Sequence, residues 1–326
     1  MAKEGDSLFI MADFDRVKMY EDLIKKHYGS FLKEIIVLPG RKSAKEVLWR
    51  RVLISRRNAK VIRRRFSKKD IGRVIIFNDK TVECQLAAYL ASKNDIPMEY
   101  TEDGFAAYLM PSDQERNPLK DMLARSLFGR FYDNIKVIGT SPWVTTVRAF
   151  FPALVIPPLK GKPIVDIDKG VFGAIKKEFV DEFTSGIDDD LDMVIVLPHS
   201  DILSSLPGTD PAMNGAGLRN EYLAIIKEAS SLHKKIGIKY HPRETSDYLG
   251  DYDGCAILPK HVPMELIYLI QKAGSVKKVV GTLSTSIYTA RIIFGDDLEI
   301  SVLDKGLSEG SAAFMRTLGI EVMDRE

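Results

Sequence analysis

The sequence predicts an α/β fold with two Rossmann-like, doubly wound domains that face each other across a cleft. Short apolar runs alternate with longer helical patterns, and this alternation restarts after an interruption in the middle of the chain. Its 326 residues are enough for about two domains. Strands that alternate with helices are joined by crossovers, so each sheet should be parallel and covered by helices on both faces.

The first set of elements fills the N-terminal part of the chain. Five apolar runs predict strands at Ser7–Met11, Glu34–Leu38, Arg73–Phe77, Pro97–Tyr100 and Ile135–Ile138. Four intervening stretches predict helices at Arg16–His27, Ala44–Phe66, Lys80–Asn94 and Asn117–Asp133.

The second set follows an interruption at Phe151–Leu191, which contains the stiff stretch Val155–Pro163, a predicted helix at Phe172–Phe183 and an acidic turn. Its strands are predicted at Asp192–Leu197, Lys235–Lys239, Cys255–Leu258, Lys277–Val280 and Leu298–Leu303, and its helices at Leu218–Lys234, Pro263–Ala273 and Thr285–Phe294. We place the domain boundary at Ile187, giving domains at 1–187 and 188–326. The last stretch, Gly310–Met323, could be a helix that packs back on the first domain.

The composition excludes several classes of protein. With 45% hydrophobic and 28% charged residues, the chain is neither disordered nor collagenous. Its two cysteines, Cys84 and Cys255, lie far apart, which excludes a disulfide or zinc framework and favours a reduced setting. No apolar run is long enough to span a bilayer, and residues 1–7 lack the apolar core of a signal peptide. We therefore expect a cytoplasmic protein.

Polar residues that directly follow strands are the candidates for chemistry, because open α/β sheets bind ligands at the carboxyl ends of their strands. Glu102-Asp103-Gly104 follows the predicted strand Pro97–Tyr100, and two acids before a glycine suit a general base in a tight turn. The alternative is an ordinary turn with an acid that caps the next helix.

A second candidate, His241-Pro242, follows the strand that ends at Lys239. The histidine lies between Lys239 and Arg243, which is a cationic setting suited to an anionic phosphate. The alternative is a surface histidine in a charged loop. His199 also follows a strand and is a weaker candidate.

Two helix starts complete the set. Ser284, Thr285 and Ser286 could cap a helix, and the same backbone N–H groups and hydroxyls could bind a phosphate. Glu265, after Pro263, could complement its helix dipole or accept hydrogen bonds from a ribose.

The order of these motifs resembles that in the bacterial sialyltransferases of GT-B fold, which include lipooligosaccharide sialyltransferases and capsular polysialyltransferases. Those families share a D/E-D/E-G motif, an HP motif and a later Ser/Thr motif. The resemblance spans roughly Tyr100 to Thr289 and rests on four short motifs and their spacing. It implies a donor that is a CMP-activated sialic acid or a related nonulosonic acid, and a glycan or glycolipid acceptor.

The resemblance also implies roles for individual residues. Asp103 resembles the general base that deprotonates the acceptor hydroxyl, and Glu102 beside it would raise its pKa by charge repulsion. His241 resembles the residue that binds or protonates the leaving phosphate of CMP. The remaining motif residues would bind the substrate, with Glu265 on the ribose and the hydroxyls on the phosphate: Gly104, Lys239, Pro242, Glu265, Ser284, Thr285 and Ser286.

Such a reaction inverts the configuration at the anomeric carbon and needs no metal if His241, the hydroxyls and the helix start neutralise the phosphate. The Asp-x-Asp spacings at Asp166–Asp168 and Asp188–Asp190 lead into a helix and a linker, so they are not persuasive metal sites. No cofactor is expected, because the CMP-sugar is a substrate.

The net charge of +2 conceals a strongly basic stretch. Between Arg41 and Arg73 lie fourteen Lys/Arg and only two acids. Six residues at spacings of three or four make one apolar face: Leu48, Val52, Ser55, Ala59, Ile62 and Phe66. The cations could form a solvated face, or a surface for an anionic membrane, an acidic polysaccharide or nucleic acid. The resemblance favours the first two partners, and no nucleic-acid motif is present.

The leading interpretation is therefore an inverting, metal-independent sialyltransferase, cytoplasmic or peripheral at the inner face of the cell membrane. One alternative keeps the fold but changes the reaction, as in a CMP-Kdo transferase or a nucleotide-sugar epimerase. The other is a non-catalytic glycan- or membrane-binding protein, in which the four motifs are only turns and helix caps.

Overall fold

The computed structural model describes residues 6–12, 16–40, 47–68, 70–110, 118–200, 211–250, 254–272, 276–305 and 307–323. The chain divides into two compact units, Met1–Asp168 and Lys169–Glu326. The predicted boundary at Ile187 falls inside the second unit. The physical reason is the short helix Lys177–Phe183, which packs on helix Met264–Lys272 of the same unit.

The first unit holds two parallel sheets. Strands β1 (Ser7–Ala12) and β2 (Glu34–Pro39) pair with each other. A separate four-stranded sheet has the order β3-β4-β5-β6, with strands Val74–Ile76, Met98–Thr101, Thr146–Ala149 and Ile164–Asp166. The helices of this unit are α1 (Val17–Tyr28), α2 (Leu48–Phe66), α3 (Val82–Lys93) and α4 (Pro118–Phe128).

The second unit is built on one six-stranded parallel sheet with the order β9-β8-β7-β10-β11-β12. The strands are β7 (Met193–Val196), β8 (Ile236–Lys239), β9 (Ala256–Leu258), β10 (Lys278–Gly281), β11 (Glu299–Leu303) and β12 (Glu321–Met323). The helices are α5 (Lys177–Phe183), α6 (Pro211–Ser231), α7 (Met264–Lys272), α8 (Thr285–Phe294) and α9 (Glu309–Thr317). Every residue of β7 and β8 is buried, as the uninterrupted apolar runs predict for central parallel strands.

The predicted strand at Ile135–Ile138 is wrong, and the segment forms a loop. The buried Asp79, just after β3, captures this loop: its carboxylate accepts the N–H of Gly139 at 2.8 Å and that of Ser141 at 2.9 Å. These bonds occupy backbone donors of the loop. The next strand of the sheet is therefore β5, which pairs with both β4 and β6.

The last predicted helix is too long. Helix α9 ends at Thr317, and Gly319, with a φ of 68°, turns the chain into β12, which extends the sheet beside β11. Helix α9 belongs to the second unit, where the ring of its Phe314 stacks on Tyr288 at 6.5 Å between centroids. The predicted return of this helix to the first domain stays a prediction.

Other helices also differ from their predicted bounds: α6, predicted at Leu218–Lys234, spans Pro211–Ser231. The stretch predicted as one helix at Phe172–Phe183 is a 3-10 helix at Lys169–Ala174 followed by α5. Helix α4 ends at Phe128 because Gly129 takes a φ of 119°, outside the helical region. The predicted starts of α2 at Ala44 and of α4 at Asn117 lie outside the described residues.

Candidate functional site

The strand order of the second unit contains a topological switch point. The chain builds outward from β7 through β8 to β9, then crosses to the other side of β7 and continues through β10 to β12. Strands β7 and β10 are hydrogen-bonded neighbours, and both run parallel to β8. Open α/β sheets bind ligands outside the carboxyl ends of the strands at such a point. The segments that follow β7, β8 and β10 therefore share one edge of the sheet.

The predicted hydroxyl motif follows β10 at this edge. Ser284 is the N-cap of α8, and its Oγ accepts the N–H of Ser286 at 3.3 Å. Thr285 is exposed, whereas the side chains of Ser284 and Ser286 are half-buried. A phosphate at this helix start would compete with the Ser284 hydroxyl for the same backbone donor.

Gly281 lets the chain reach this helix start. A Cβ built on Gly281 would lie 3.0 Å from the carbonyl oxygen of Val196 and 2.9 Å from Cδ1 of Ile287. Real Cβ atoms rarely approach other atoms so closely, so a larger residue would push β10 away from β7 or displace α8. The glycine therefore keeps the switch point closely packed.

The structure brings His241 and His199 together. Their rings meet edge to face, with centroids 5.2 Å apart. The sequence made His199 only the weaker candidate. The pairing of β7 with β8 decides this proximity, since it sets the two strand ends side by side.

His241 has a defined hydrogen-bonding state. Its Nδ1 accepts the backbone N–H of Arg243 at 3.2 Å, which leaves the proton of the neutral ring on Nε2. Desolvation and the neighbouring His199 lower the pKa of His241, with a further contribution from Arg243. At neutral pH the ring is therefore uncharged and offers an N–H donor at Nε2.

Pro242 is exposed and shapes the turn that carries His241. The carbonyl of His241 accepts the N–H of Glu244 at 2.9 Å, which closes a β-turn with the proline at its second position. Proline favours this position because its ring fixes φ near the value that the turn requires.

Glu244 is the residue of this segment that sequence reasoning missed. It is buried, and its Oε2 accepts the N–H of Ser200 at 2.8 Å. Its Oε1 accepts the N–H groups of Thr245 and Ser246, each at 2.9 Å, and the Ser246 hydroxyl at 2.7 Å. Glu244 thus ties the segment after β7, which carries His199, to the segment after β8, which carries His241.

The hydrogen bonds also set the charge of Glu244. Desolvation opposes ionisation, but the bonds from Ser246 and Ser200 outweigh it and lower the pKa of Glu244 to about 2. The carboxylate therefore remains ionised at neutral pH. The available signal in the sequence was an acid three residues after a histidine whose proline predicts a turn.

Lys239 is buried at the end of β8 and has a structural role. Its ammonium donates to the carbonyls of Pro259 and Val262, the latter at 2.8 Å, and so holds the segment that leads into α7. Desolvation lowers the pKa of Lys239 to about 8, although Glu265 opposes this shift. The predicted contact of Lys239 with a nucleotide stays a prediction.

Glu265 lies half-buried in the first turn of α7 and faces α8. The Thr289 hydroxyl lies 3.4 Å from Oε1 of Glu265 and 3.0 Å from the carbonyl of Thr285. Glu265 is therefore placed against the helix that begins with the hydroxyl motif. Its predicted contact with a ribose remains to be tested.

In the first unit, the predicted acidic turn follows β4 directly. Gly104 is buried and has a φ of 135°, which side chains other than hydrogen rarely allow. The residue before it, Asp103, is exposed. Partial desolvation nevertheless raises the pKa of Asp103. Desolvation is the largest cause of this shift, where the sequence pointed to repulsion from Glu102.

Glu102 itself is buried and engaged. The Tyr108 hydroxyl donates to its Oε2, and the same hydroxyl accepts the N–H of Phe151 at 3.1 Å. Phe151 follows β5, so the phenol links the turn after β4 to the end of the neighbouring strand. Two adjacent acids thus have different environments, one held in the protein and one open to solvent.

Among the described residues, no group of three or more histidine, cysteine and acidic side chains is arranged to hold a metal ion. Nor does any described helix combine the length and apolar character that crossing a membrane requires.

No protein-family model and no curated protein matches the chain. Solved structures do match it. S. aureus MnaA in a co-structure with UDP aligns with a TM-score of 0.51 at 12% identity, covering 98% of this chain and 83% of that one. Phytolacca americana UGT2, complexed with UDP-2-fluoro-glucose and pterostilbene, gives 0.52 at 11%, covering 99% and 79%. A Listeria monocytogenes protein assigned as a UDP-N-acetylglucosamine 2-epimerase gives 0.52 at 8%, covering 98% and 84%.

At these identities the likeness shows the fold. The chain has the α/β architecture of the GT-B glycosyltransferases and epimerases, with two Rossmann-like units built on parallel sheets. The predicted fold class is confirmed.

Proposed function

We propose that this chain is an inverting, metal-independent glycosyltransferase that transfers a sialic acid, or a related nonulosonic acid, from a CMP-activated donor to an acceptor hydroxyl. The observation that carries the proposal is the cluster at the carboxyl edge of the second sheet. There, His241 follows β8 with its Nε2 as the N–H donor, the hydroxyl-rich start of α8 follows β10, and both strands pair with β7.

The chemistry assigns one role to each unit. The acceptor oxygen attacks the anomeric carbon while the bond from that carbon to the phosphate oxygen breaks, and the electron pair leaves with CMP. Asp103 takes the acceptor proton, and its raised pKa makes it a stronger base than an ordinary aspartate. A single displacement of this kind inverts the configuration.

The second unit stabilises the leaving group. His241 donates from Nε2 to the phosphate, and the hydroxyls and N–H groups at the start of α8 donate further hydrogen bonds that stabilise its negative charge. As negative charge develops on the phosphate, the hydrogen bond from Nε2 of His241 strengthens, and the ring keeps its proton. These groups replace the neutralising charge that a metal would supply.

We further propose that the acceptor is a glycan or glycolipid and that the enzyme acts at the inner face of the cell membrane. The basic stretch between Arg41 and Arg73 supports both points, because a lipid-linked or polyanionic acceptor would bring an anionic surface to these cations.

A second candidate keeps the fold and changes the nucleotide. The three structural neighbours named above carry UDP, UDP-2-fluoro-glucose or an assignment to UDP-N-acetylglucosamine, which supports a UDP-sugar transferase or epimerase. The two candidate functions differ in the nucleobase that the second unit must bind, cytosine in one and uracil in the other.

Calorimetric titration with CMP and with UDP separates them, followed by assays of nucleotide release from CMP-Neu5Ac, CMP-Kdo and UDP-GlcNAc with and without EDTA. The proposal predicts tighter binding of CMP, release from CMP-Neu5Ac that EDTA leaves unchanged, and weaker CMP binding by His241→Gln. Preference for UDP with turnover of UDP-GlcNAc would establish the second candidate. Absence of turnover with every donor would favour a non-catalytic glycan-binding protein.

A further inference from the structure

Helix α2 has two faces of different character. Its inward face buries Val52, Ile62 and Phe66 together with Asn58 and Arg65. Arg65 is neutralised there by ion pairs with Glu34 and Asp70. The predicted apolar face is thus largely the buried one, and the remaining cations of the helix have to be explained separately.

The outward face of α2 changes from apolar to cationic along its length. Trp49 and Leu53, four residues apart, are 63% and 55% exposed. The same stripe continues at helical spacing with exposed cations at Arg56, Lys60 and Arg63. Helix α2 contains no acidic residue that would neutralise them.

Helix α4 presents a second apolar face in the same unit. Met122 and Leu123 are 63% and 54% exposed, and Leu119, three residues before Met122, is 72% exposed. Helices α2 and α4 contact each other. Large apolar side chains on two touching helices are an unusual arrangement for a surface that meets only water.

We infer that these two helices form a docking surface for an anionic lipid bilayer, which we call the α2–α4 surface. It consists of the apolar residues Trp49, Leu53, Leu119, Met122 and Leu123, together with the exposed cations Arg56, Arg57, Lys60, Arg63 and Arg64. The apolar side chains enter the interfacial layer, where tryptophan is favoured, and the cations bind lipid head groups.

Charge complementarity selects the occupant. The five exposed cations of the α2–α4 surface demand an anionic partner, which a bilayer and an acidic polysaccharide both offer. Only the bilayer also takes up large apolar side chains, because a polysaccharide chain remains fully hydrated. The inference is independent of the sugar donor, and it adds α4 to the basic stretch that the sequence singled out.

Co-sedimentation with vesicles tests the inference on the full chain without any nucleotide sugar. Vesicles of phosphatidylcholine with about one-third phosphatidylglycerol should bind the protein, and raising the salt concentration should weaken binding because it screens exposed charges. Vesicles of phosphatidylcholine alone should bind it less tightly. Equal binding to both kinds of vesicle would overturn the inference.

Two double variants separate the parts of the surface. Leu53→Ser with Leu123→Ser, one substitution on each helix, should lower the partition coefficient about tenfold. Arg56→Glu with Arg63→Glu should lower it at least as far and remove most of the salt dependence.

Matched controls come from exposed positions in the second unit. Leu232 is 62% exposed and the side chain of Lys177 is 83% exposed, so Leu232→Ser and Lys177→Glu should leave binding unchanged. Binding that survives both double variants would refute the α2–α4 surface. Retention of an acidic polysaccharide by wild type and the apolar variant alike, without vesicle binding, would assign the surface to a polyanion instead.

Tryptophan fluorescence provides a readout that leaves every residue of the α2–α4 surface unchanged. The chain has two tryptophans, Trp49 and Trp143, and Trp143 is half-buried against Tyr89. In a Trp143→Phe background, anionic vesicles should shift the emission of Trp49 to the blue. An emission maximum that stays at the water-exposed position in saturating vesicles contradicts insertion.

Discussion

In the first unit, Glu102 is buried and its neighbour Asp103 is exposed, whereas in the second unit Glu244 is buried and His241 is half-exposed. Each candidate reactive group thus lies within three residues of a carboxylate that is buried and hydrogen-bonded within the protein. A buried carboxylate is costly unless its hydrogen bonds are made, so each fixes the backbone around it. The reactive side chain is positioned as a result.

The two carboxylates connect their surroundings differently. Glu102 reaches the end of the neighbouring strand through the Tyr108 hydroxyl, which accepts the N–H of Phe151. Glu244 accepts backbone N–H groups from both loops directly, at Ser200 and at Thr245. The arrangement around Glu244 joins the loops of two candidate histidines, and it depends on a single side chain. A substitution of Glu244 should therefore disturb both loops at once.

The largest expected effect separates the adjacent acids. Asp103→Asn should lower kcat by about 10²–10⁴-fold because it removes the general base. Glu102→Gln should instead reduce the free energy of unfolding by about 1–3 kcal/mol, since it disturbs the acceptor of the Tyr108 hydroxyl. Steady-state kinetics and urea unfolding of both variants would show whether Asp103 contributes to catalysis and Glu102 to the stability of the fold.

The pH profile sharpens this test. Because desolvation raises the pKa of Asp103, activity should fall as the pH decreases through a value above the ordinary ~3.9 of aspartate. The residual activity of Asp103→Asn should lack this acidic limb. A limb that persists in the variant would assign the titration to another group.

A smaller effect separates the two histidines. His241→Gln should lower kcat by about 10²–10³-fold, because it weakens stabilisation of the leaving group. His199→Gln should have less effect, since its ring acts on His241 through the edge-to-face contact. NMR titration of the imidazoles offers a direct check: His241 should titrate below the ordinary ~6.5, and CMP should raise its pKa. Equal losses in both variants would mean that the pair acts as a unit.

The smallest expected effect concerns the side chains that hold the two loops in place, Glu244 in the second unit and Tyr108 in the first. Glu244→Gln should lower the free energy of unfolding by about 1–3 kcal/mol, because an amide group would face the donors of Ser200, Thr245 and Ser246. Tyr108→Phe, which removes the relaying hydroxyl, should cost about 1 kcal/mol. Urea unfolding at neutral pH measures both. A larger loss for Tyr108→Phe would contradict the contrast between the two units.

The acid dependence of Glu244 has a definite sign. Its pKa is about 2 in the folded state, below the ordinary ~4.3 of glutamate, so the ionised side chain stabilises the fold. This contribution is complete above the unfolded pKa and is lost as the pH falls from ~4.3 towards 2. Glu244→Gln should therefore lose less stability than wild type over that interval.

Whether a strand could be predicted from the sequence depended on how fully the segment is buried and on whether distant side chains bind its neighbourhood. The runs that became β7, β8 and β10 were predictable because central parallel strands are buried on both faces. Ile135–Ile138 has the same local pattern, but the buried Asp79, far away in the sequence, binds the backbone N–H groups of Gly139 and Ser141 directly after it and holds the chain in a loop. The short strand Ile164–Asp166 is mostly exposed at an edge of its sheet, so it lacked an apolar signal.

By itself, the sequence determined the α/β class, the two Rossmann-like halves and the position of each polar motif after a strand, because these features depend on local periodicity and turn chemistry. Tertiary structure decided which motif residues are free to react. Hydrogen bonds between distant segments bury Glu102, Lys239 and Glu244, pair His199 with His241, and leave Asp103 exposed. Strand order and register create such contacts, and a linear pattern does not encode them.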